Sequence, residues 1–138
     1  MIQVKRLTAL LLALTLPLLA VAEEETKEGE APKVAYIDLV PSLVGNYGAG
    51  PRLKYFKADI SLKVTGTEAQ DKVTRHEPLI RNQLVMLFSQ QTDDTLGSSE
   101  AKEKLRQEAL KQVQQALNGE EGAALVDDLL FNNLIVQP

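Results

Sequence analysis

The stretch Leu53–Thr65, LKYFKADISLKVT, alternates apolar and polar residues along its whole length. Phe56, Ala58, Ile60, Leu62 and Val64 share one parity, and Tyr55, Lys57, Asp59, Ser61 and Lys63 share the other. Successive side chains of a strand point to opposite faces, so the pattern predicts a strand with one dry face and one wet face. At about 3.4 Å per residue it runs to about 40 Å, beyond the usual strand length, which predicts a bent strand with helices over one side. The wet residues Tyr55, Lys57, Asp59, Ser61 and Lys63 form the candidate interaction face, with a merely solvated face as the alternative.

Upstream, Val34–Val44 (VAYIDLVPSLV) is mostly apolar but contains Pro41, which removes a ladder hydrogen bond and predicts an edge strand that bends or ends there. Asn46–Pro51 (NYGAGP) is a turn cluster, so the two apolar runs are expected to form an antiparallel hairpin. Downstream, Gly66 closes the long strand, and the T-x-x-Q spacing of Thr67 and Gln70 predicts a capping box opening a helix. That helix stops near His76, because Glu77 precedes Pro78, and a second helix starts at the proline. Its stripe is Leu79, Ile80, Leu84, Leu87 and Phe88.

Thr92–Gly97 reads as a polar turn, followed by Ser98 as N-cap of a helix over Ser99–Leu117. Ala101, Leu105, Ala109, Val113 and Leu117 form its dry stripe, Lys102, Arg106, Gln107 and Lys111 its wet side, and Asn118-Gly119 its end. The last segment, Ala123–Gln137, is apolar on both parities around Asn132 and Asn133, which predicts a strand either central in the sheet or covered by another molecule. The expected fold is therefore α+β, a long antiparallel hairpin and a C-terminal strand in one sheet with helices packed on one face.

Composition narrows the function. The chain has 138 residues, no cysteine and one histidine, which excludes disulfides, a thiol nucleophile and a cysteine zinc site. A net charge of −4 disfavours a nucleic-acid partner. Residues 1–22 pair a positive Lys5-Arg6 start with an apolar run and an Ala20-Val21-Ala22 cleavage pattern, so an export signal cut between Ala22 and Glu23 is expected. Cleavage leaves thirteen bases against nineteen acids, a net charge of −6. The acidic segment Glu23–Lys33 then reads as a flexible leader, and residues 34–138 as the folded domain. The alternative is an uncleaved membrane anchor, for which the apolar run is short against about 20 residues.

No catalytic constellation emerges. His76 lacks a second histidine or a cysteine for a metal, and the adjacent pairs Asp93-Asp94 and Asp127-Asp128 diverge rather than converge as an acid and base must. Ser61 and Ser89 have no histidine at a motif spacing. No catalytic residue, metal ligand or cofactor site is expected.

Several blocks, in order, resemble the flagellar basal-body-associated FliL family. They are Tyr36, Leu39, Pro41, Val44 and Asn46, then Pro78 to Leu84, then Leu96, Ser98, Glu100, Lys102, Leu105 and Arg106. Gly97 and Ala101 accompany that third block, and the tail matches at Val126, Asp128, Phe131 and Gln137, with Leu134 at a second aromatic position. The resemblance covers about Val34 to Pro138. It implies a stomatin-like domain without enzymatic activity that assembles with itself into a ring and with ion-driven stator units, supporting motility. The usual family member carries a membrane-spanning helix, whereas this N-terminus reads as a cleavable signal. A periplasmic location is therefore expected, with an inner-membrane-anchored form facing the periplasm as the alternative. A soluble periplasmic ligand-binding or envelope domain with no flagellar role is the competing function.

Overall fold

The computed structural model describes residues 31–138, and the segments expected to be an export signal and, for the most part, the acidic leader lie outside them. The long alternating stretch becomes β3 (Lys54–Thr65), with β1 (Val34–Asp38) and β2 (Leu43–Tyr47) before it and β4 (Val126–Gln137) closing the chain. Between β3 and β4 lie α1 (Thr67–Arg75), α2 (Glu77–Ser89), α3 (Asp93–Gly97) and α4 (Ser99–Glu121). The α+β expectation is borne out, with one antiparallel sheet of four strands and helices over its dry face.

β3 is the centre. β2 pairs with its first half, Leu43 opposite Ala58 to Tyr47 opposite Lys54, and β1 with its second half, Val34 opposite Thr65 to Asp38 opposite Ser61. The expected first strand is thus two short strands on one edge, interrupted over Leu39–Ser42, where the Val40–Pro41 peptide is cis. The Leu39 amide still donates to the Ile60 carbonyl at 2.9 Å, so the ladder nearly bridges the gap. β4 pairs along the whole other edge of β3, with register shifts beside Asn132 and Asp127. It is an edge strand, which removes the first of the two alternatives for Ala123–Gln137, a central position in the sheet. Its two-sided apolar character comes from Leu129, buried under the helices, and Ile135, exposed on the open face.

The dry parity of β3 is the core floor: Phe56, Ala58, Ile60, Leu62 and Val64 are all essentially inaccessible. Ile80, Leu84, Leu87 and Phe88 of α2, with Leu105, Ala109, Val113 and Leu117 of α4, form the roof, as their helical spacing predicts. Gly45 lies opposite Phe56, and a Cβ there would meet the ring at 2.9 Å, so a larger residue would displace the aromatic floor.

Three helix ends depart from expectation. Thr67 is the first helical residue of α1, and the N-cap is Gly66, which has no side chain to accept, so the Thr67/Gln70 capping box does not form. Thr92–Gly97 is a turn of helix, α3, held by a capping box between Thr92 and Thr95. α4 runs through Gly119 and ends at Gly122, whose φ of 72° suits a left-handed C-cap. Ser98 caps α4 as predicted, accepting from the Ala101 amide at 3.0 Å.

Substituting Ile60→Asp buries an unpaired charge between β3 and the helices and should cost about 4 kcal/mol or more, enough to unfold a domain of marginal stability. Lys57→Glu on the opposite face should stay within about ±0.5 kcal/mol. Urea melts of both variants check this, and equal midpoints would refute the facing assignment.

Candidate functional site

Register across the strands turns the wet parity of β3 into a surface. Tyr55 lies between Asn46 and Gln137, Lys57 between Val44 and Ile135, and Lys63 between Tyr36 and Asp128. The exposed large apolar residues Val34, Tyr36, Val44, Tyr55 and Ile135 are from 45% to 63% accessible and belong to this one face. Helices cover only the other side. The face that alternation alone marks as wet is therefore half apolar, with Lys57 and Lys63 set among the aromatic and branched side chains.

Four of the five candidate residues are accessible to some degree, and Ser61 is not. It has the expected parity but only 4% exposure, because β1 and the bulge in β4 close over it. Asn132 Nδ2 donates to the Ser61 hydroxyl, which in turn donates to Asp38. Ser42 donates likewise to Asp59. Two carboxylates are thus occupied by hydroxyl groups in the notch between β1 and β2. The sequence marks Tyr55, Lys57 and Lys63, but misses Val44 and Ile135 as neighbours of the first two and Tyr36 as the neighbour of the third. Their parity is readable, whereas the register that aligns them depends on an interruption at Pro41 whose length the sequence does not define.

Polar clusters fix this sheet to its helices. The buried Tyr47 hydroxyl donates to Asp93 at 2.9 Å, and Lys54 pairs with the other oxygen of the same carboxylate. Burial, then the Asp93 carboxylate, raise the Tyr47 phenol above its ordinary pKa. Hydrogen bonds from Lys54 and then Tyr47 hold Asp93 below the usual carboxylate range. Arg106, expected on the wet side of its helix, instead reaches back to β4, donating to Asp128 at 2.6 Å and to the Leu129 carbonyl at 3.1 Å. Glu103 accepts from the same guanidinium and is lowered by it. His76 Nε2 lies 2.8 Å from Glu121 Oε1, with Lys72 and Arg75 nearby, and Glu121 is lowered by the His76 hydrogen bond first and then by Lys72. His76 is therefore a helix-junction residue that closes α1 and α2 onto the end of α4.

Among the described residues no three His, Asp or Glu side chains converge on a metal-sized position, and every buried side-chain polar atom has a partner. Asp127 and Asp128 separate, the first accepting from Thr65 and the second from Arg106. Shallow grooves of about 580 and 520 Å³ lie against α4, lined chiefly by charged and amide side chains. Among the described residues no helix is long and apolar enough to cross a membrane.

An α+β domain with satisfied polar clusters and one uncovered, half-apolar sheet face has the build of an interaction module. Comparison with known proteins makes the class specific. The family described as "Flagellar basal body-associated protein FliL" matches residues 36–137, and the chain belongs to that family. It is also similar to the "Flagellar protein FliL" of Aquifex aeolicus (strain VF5), at 29% identity over 114 residues, covering 78% of this chain and 68% of that protein.

Two substitutions probe the clusters. Tyr47→Phe removes the phenol hydrogen bond while Lys54 still holds Asp93, so thermal melts should show a loss of about 1 kcal/mol. Glu121 has a lowered folded-state pKa, so its contribution is complete above the ordinary glutamate value of about 4.3 and is lost as pH falls through the folded value. Glu121→Gln should flatten the acid limb of the stability profile, leaving the part due to Asp93 and Glu103, and an unchanged acid limb would remove Glu121 from that balance.

Proposed function

We propose that this chain is a non-catalytic accessory protein of the flagellar basal body, exported to the periplasm, that supports motility by docking its open sheet face on a membrane complex such as the stator units. The observation that carries the reading is the clustering of Val44, Tyr55 and Ile135 around Lys57, with Tyr36 beside Lys63 farther along the same face, which the described helices leave uncovered. An antiparallel sheet commonly leaves one face to water, but such a face is ordinarily polar. Here side chains that would gain from burial stand in register across three strands, and Lys57 and Lys63 supply charge for orientation. Self-association, as a ring or a smaller assembly, is the second part of the proposal, and it needs neither metal nor cofactor.

Family membership supports the basal-body setting. Export rests on the N-terminal pattern, with Glu23 as the first mature residue and residues 34–138 as the working domain. If the apolar segment is retained instead, the same domain stands on the periplasmic face of the inner membrane.

Deleting the gene should impair swimming or swarming, and normal movement in both assays would overturn the motor role. Complementation with a Val44→Asp, Tyr55→Asp double variant should fail while its melting midpoint stays near that of the parent. Full rescue would remove the open face from the mechanism. Fractionation with sequencing of the mature N-terminus should find Glu23 in the periplasmic fraction, whereas an intact Met1 in the membrane fraction would replace export with anchoring.

A further inference from the structure

The rest of the fold treats the two halves of edge strand β4 differently. Along the first half, side chains occupy backbone groups that β3 does not use. Gln114 donates to the Val126 carbonyl at 2.8 Å, Arg106 donates to the Leu129 carbonyl at 3.1 Å, and the Leu129 amide donates to Asp128 at 2.8 Å. Along Asn133–Gln137 the described residues provide no such partner, and the only pairing is with β3.

Helix geometry explains the difference. Arg106 facing Leu129 and Gln114 facing Val126 set α4 antiparallel to β4. From Arg106 back to Ser99 is about 10 Å of helix, the length of about three strand residues. α4 therefore starts beside Asn132, in a groove of about 490 Å³ shared by Ser99, Lys102 and Leu134, and the strand runs on past it. Natural edge strands are ordinarily blunted by charge, proline or a covering element. Asn133–Gln137, NLIVQ, has no charge and no proline, and Ile135 is 49% exposed.

We propose that Asn133–Gln137 pairs antiparallel with the same segment of a second copy, about a two-fold axis through Ile135, joining two sheets into one. Facing residues of antiparallel strands share a face, so Ile135 meets Ile135, Leu134 meets Val136 and Asn133 meets Gln137. In that register Leu134 and Val136 remain on the helix-covered side, while Asn133, Ile135 and Gln137 remain on the open side. A two-residue shift inward would bring the start of α4 against the partner, and one outward would leave little strand to pair. The two α4 helices lead away from the axis in opposite directions and do not compete for space. An uncharged segment brings no like charges together when it meets itself, and that favours a second copy over a charged peptide as occupant. The contact is smaller than the about 1,200 Å² of standard interfaces, so it is a weak contact that gains from high local concentration.

This deepens the self-association part of the proposed function and rests on it, but its readout does not involve motility. The chain has no cysteine, so single replacements are unambiguous. Facing Cα atoms of antiparallel strands lie about 4.5–5.5 Å apart, within disulfide reach. Under mild oxidation the full chain with Ile135→Cys should form a covalent dimer. Met86→Cys, on a residue equally exposed at 50%, should stay monomeric. Mixing Asn133→Cys with Gln137→Cys should cross-link beyond either alone, which tests the register, and thermal melts verify that each variant is folded. Equal cross-linking of the Ile135 and Met86 variants, or no gain on mixing, overturns the proposal. A monomer combined with a motility defect on deletion removes this contact and leaves the basal-body role. A cross-linked dimer combined with normal motility does the reverse.

Discussion

Phe88 lies between Phe56, stacked at 5.0 Å between ring centroids, and Phe131, tilted at 5.6 Å. These are the only three phenylalanines of the chain, and one each comes from α2, β3 and β4. Their contact fixes the helical layer over the middle of the sheet, and aromatic pairs at such separations contribute beyond their buried area. The surrounding fold accommodates the rings. Gly45 leaves room over Phe56, and the bulge at Asn132 lets Phe131 point inward opposite Ile60 although Asn133, two residues on, faces outward opposite Asp59. The described helices all lie on one side of this sheet and leave the other side uncovered.

Around that apolar centre, polar groups act as fasteners. Tyr47 and Lys54 share Asp93 at the hairpin end of the sheet, Arg106 joins α4 to β4, and Glu121 gathers Lys72, Arg75 and His76 where the helices turn. Each links segments distant in sequence through charge-assisted hydrogen bonds, which are stronger than neutral ones. Of the adjacent acids, Asp93 and Asp128 hold helices to strands, and Asp127 joins β4 to β3.

The period-two pattern of Leu53–Thr65 and the four-residue spacing from Leu105 to Leu117 were sufficient to predict the strand, its dry face and the helix that covers it. Both are long, and burial of a whole face enforces the period. The misreadings are local and have local causes. Asn118-Gly119 resembled a helix end, yet Glu121 draws α4 on for another turn toward His76, and Gly122 supplies the left-handed residue. Ser61 shared parity with Lys57 and Lys63, but exposure also depends on Asp38 and Asn132, which come from separate strands. Arg106 looked solvated because nothing in its neighbourhood marks Asp128, twenty-two residues later, as its partner.

The residues that carry the family resemblance divide along the same physical line. Leu39, Leu84, Leu96, Leu105 and Val126 are buried, Arg81 donates to the Pro41 carbonyl at 2.7 Å, and Arg106 pairs with Asp128, so these positions build the scaffold. Tyr36, Val44, Asn46 and Gln137 build nothing inward; they stand on the open face beside Tyr55, Lys57 and Lys63. A scaffold requirement explains the first group without appeal to function. It does not explain an exposed tyrosine and valine in register with lysines, because a monomer would lose nothing by making those positions polar. Burial of that face against the proposed partner would account for the second group, because those side chains gain only when water is removed from them.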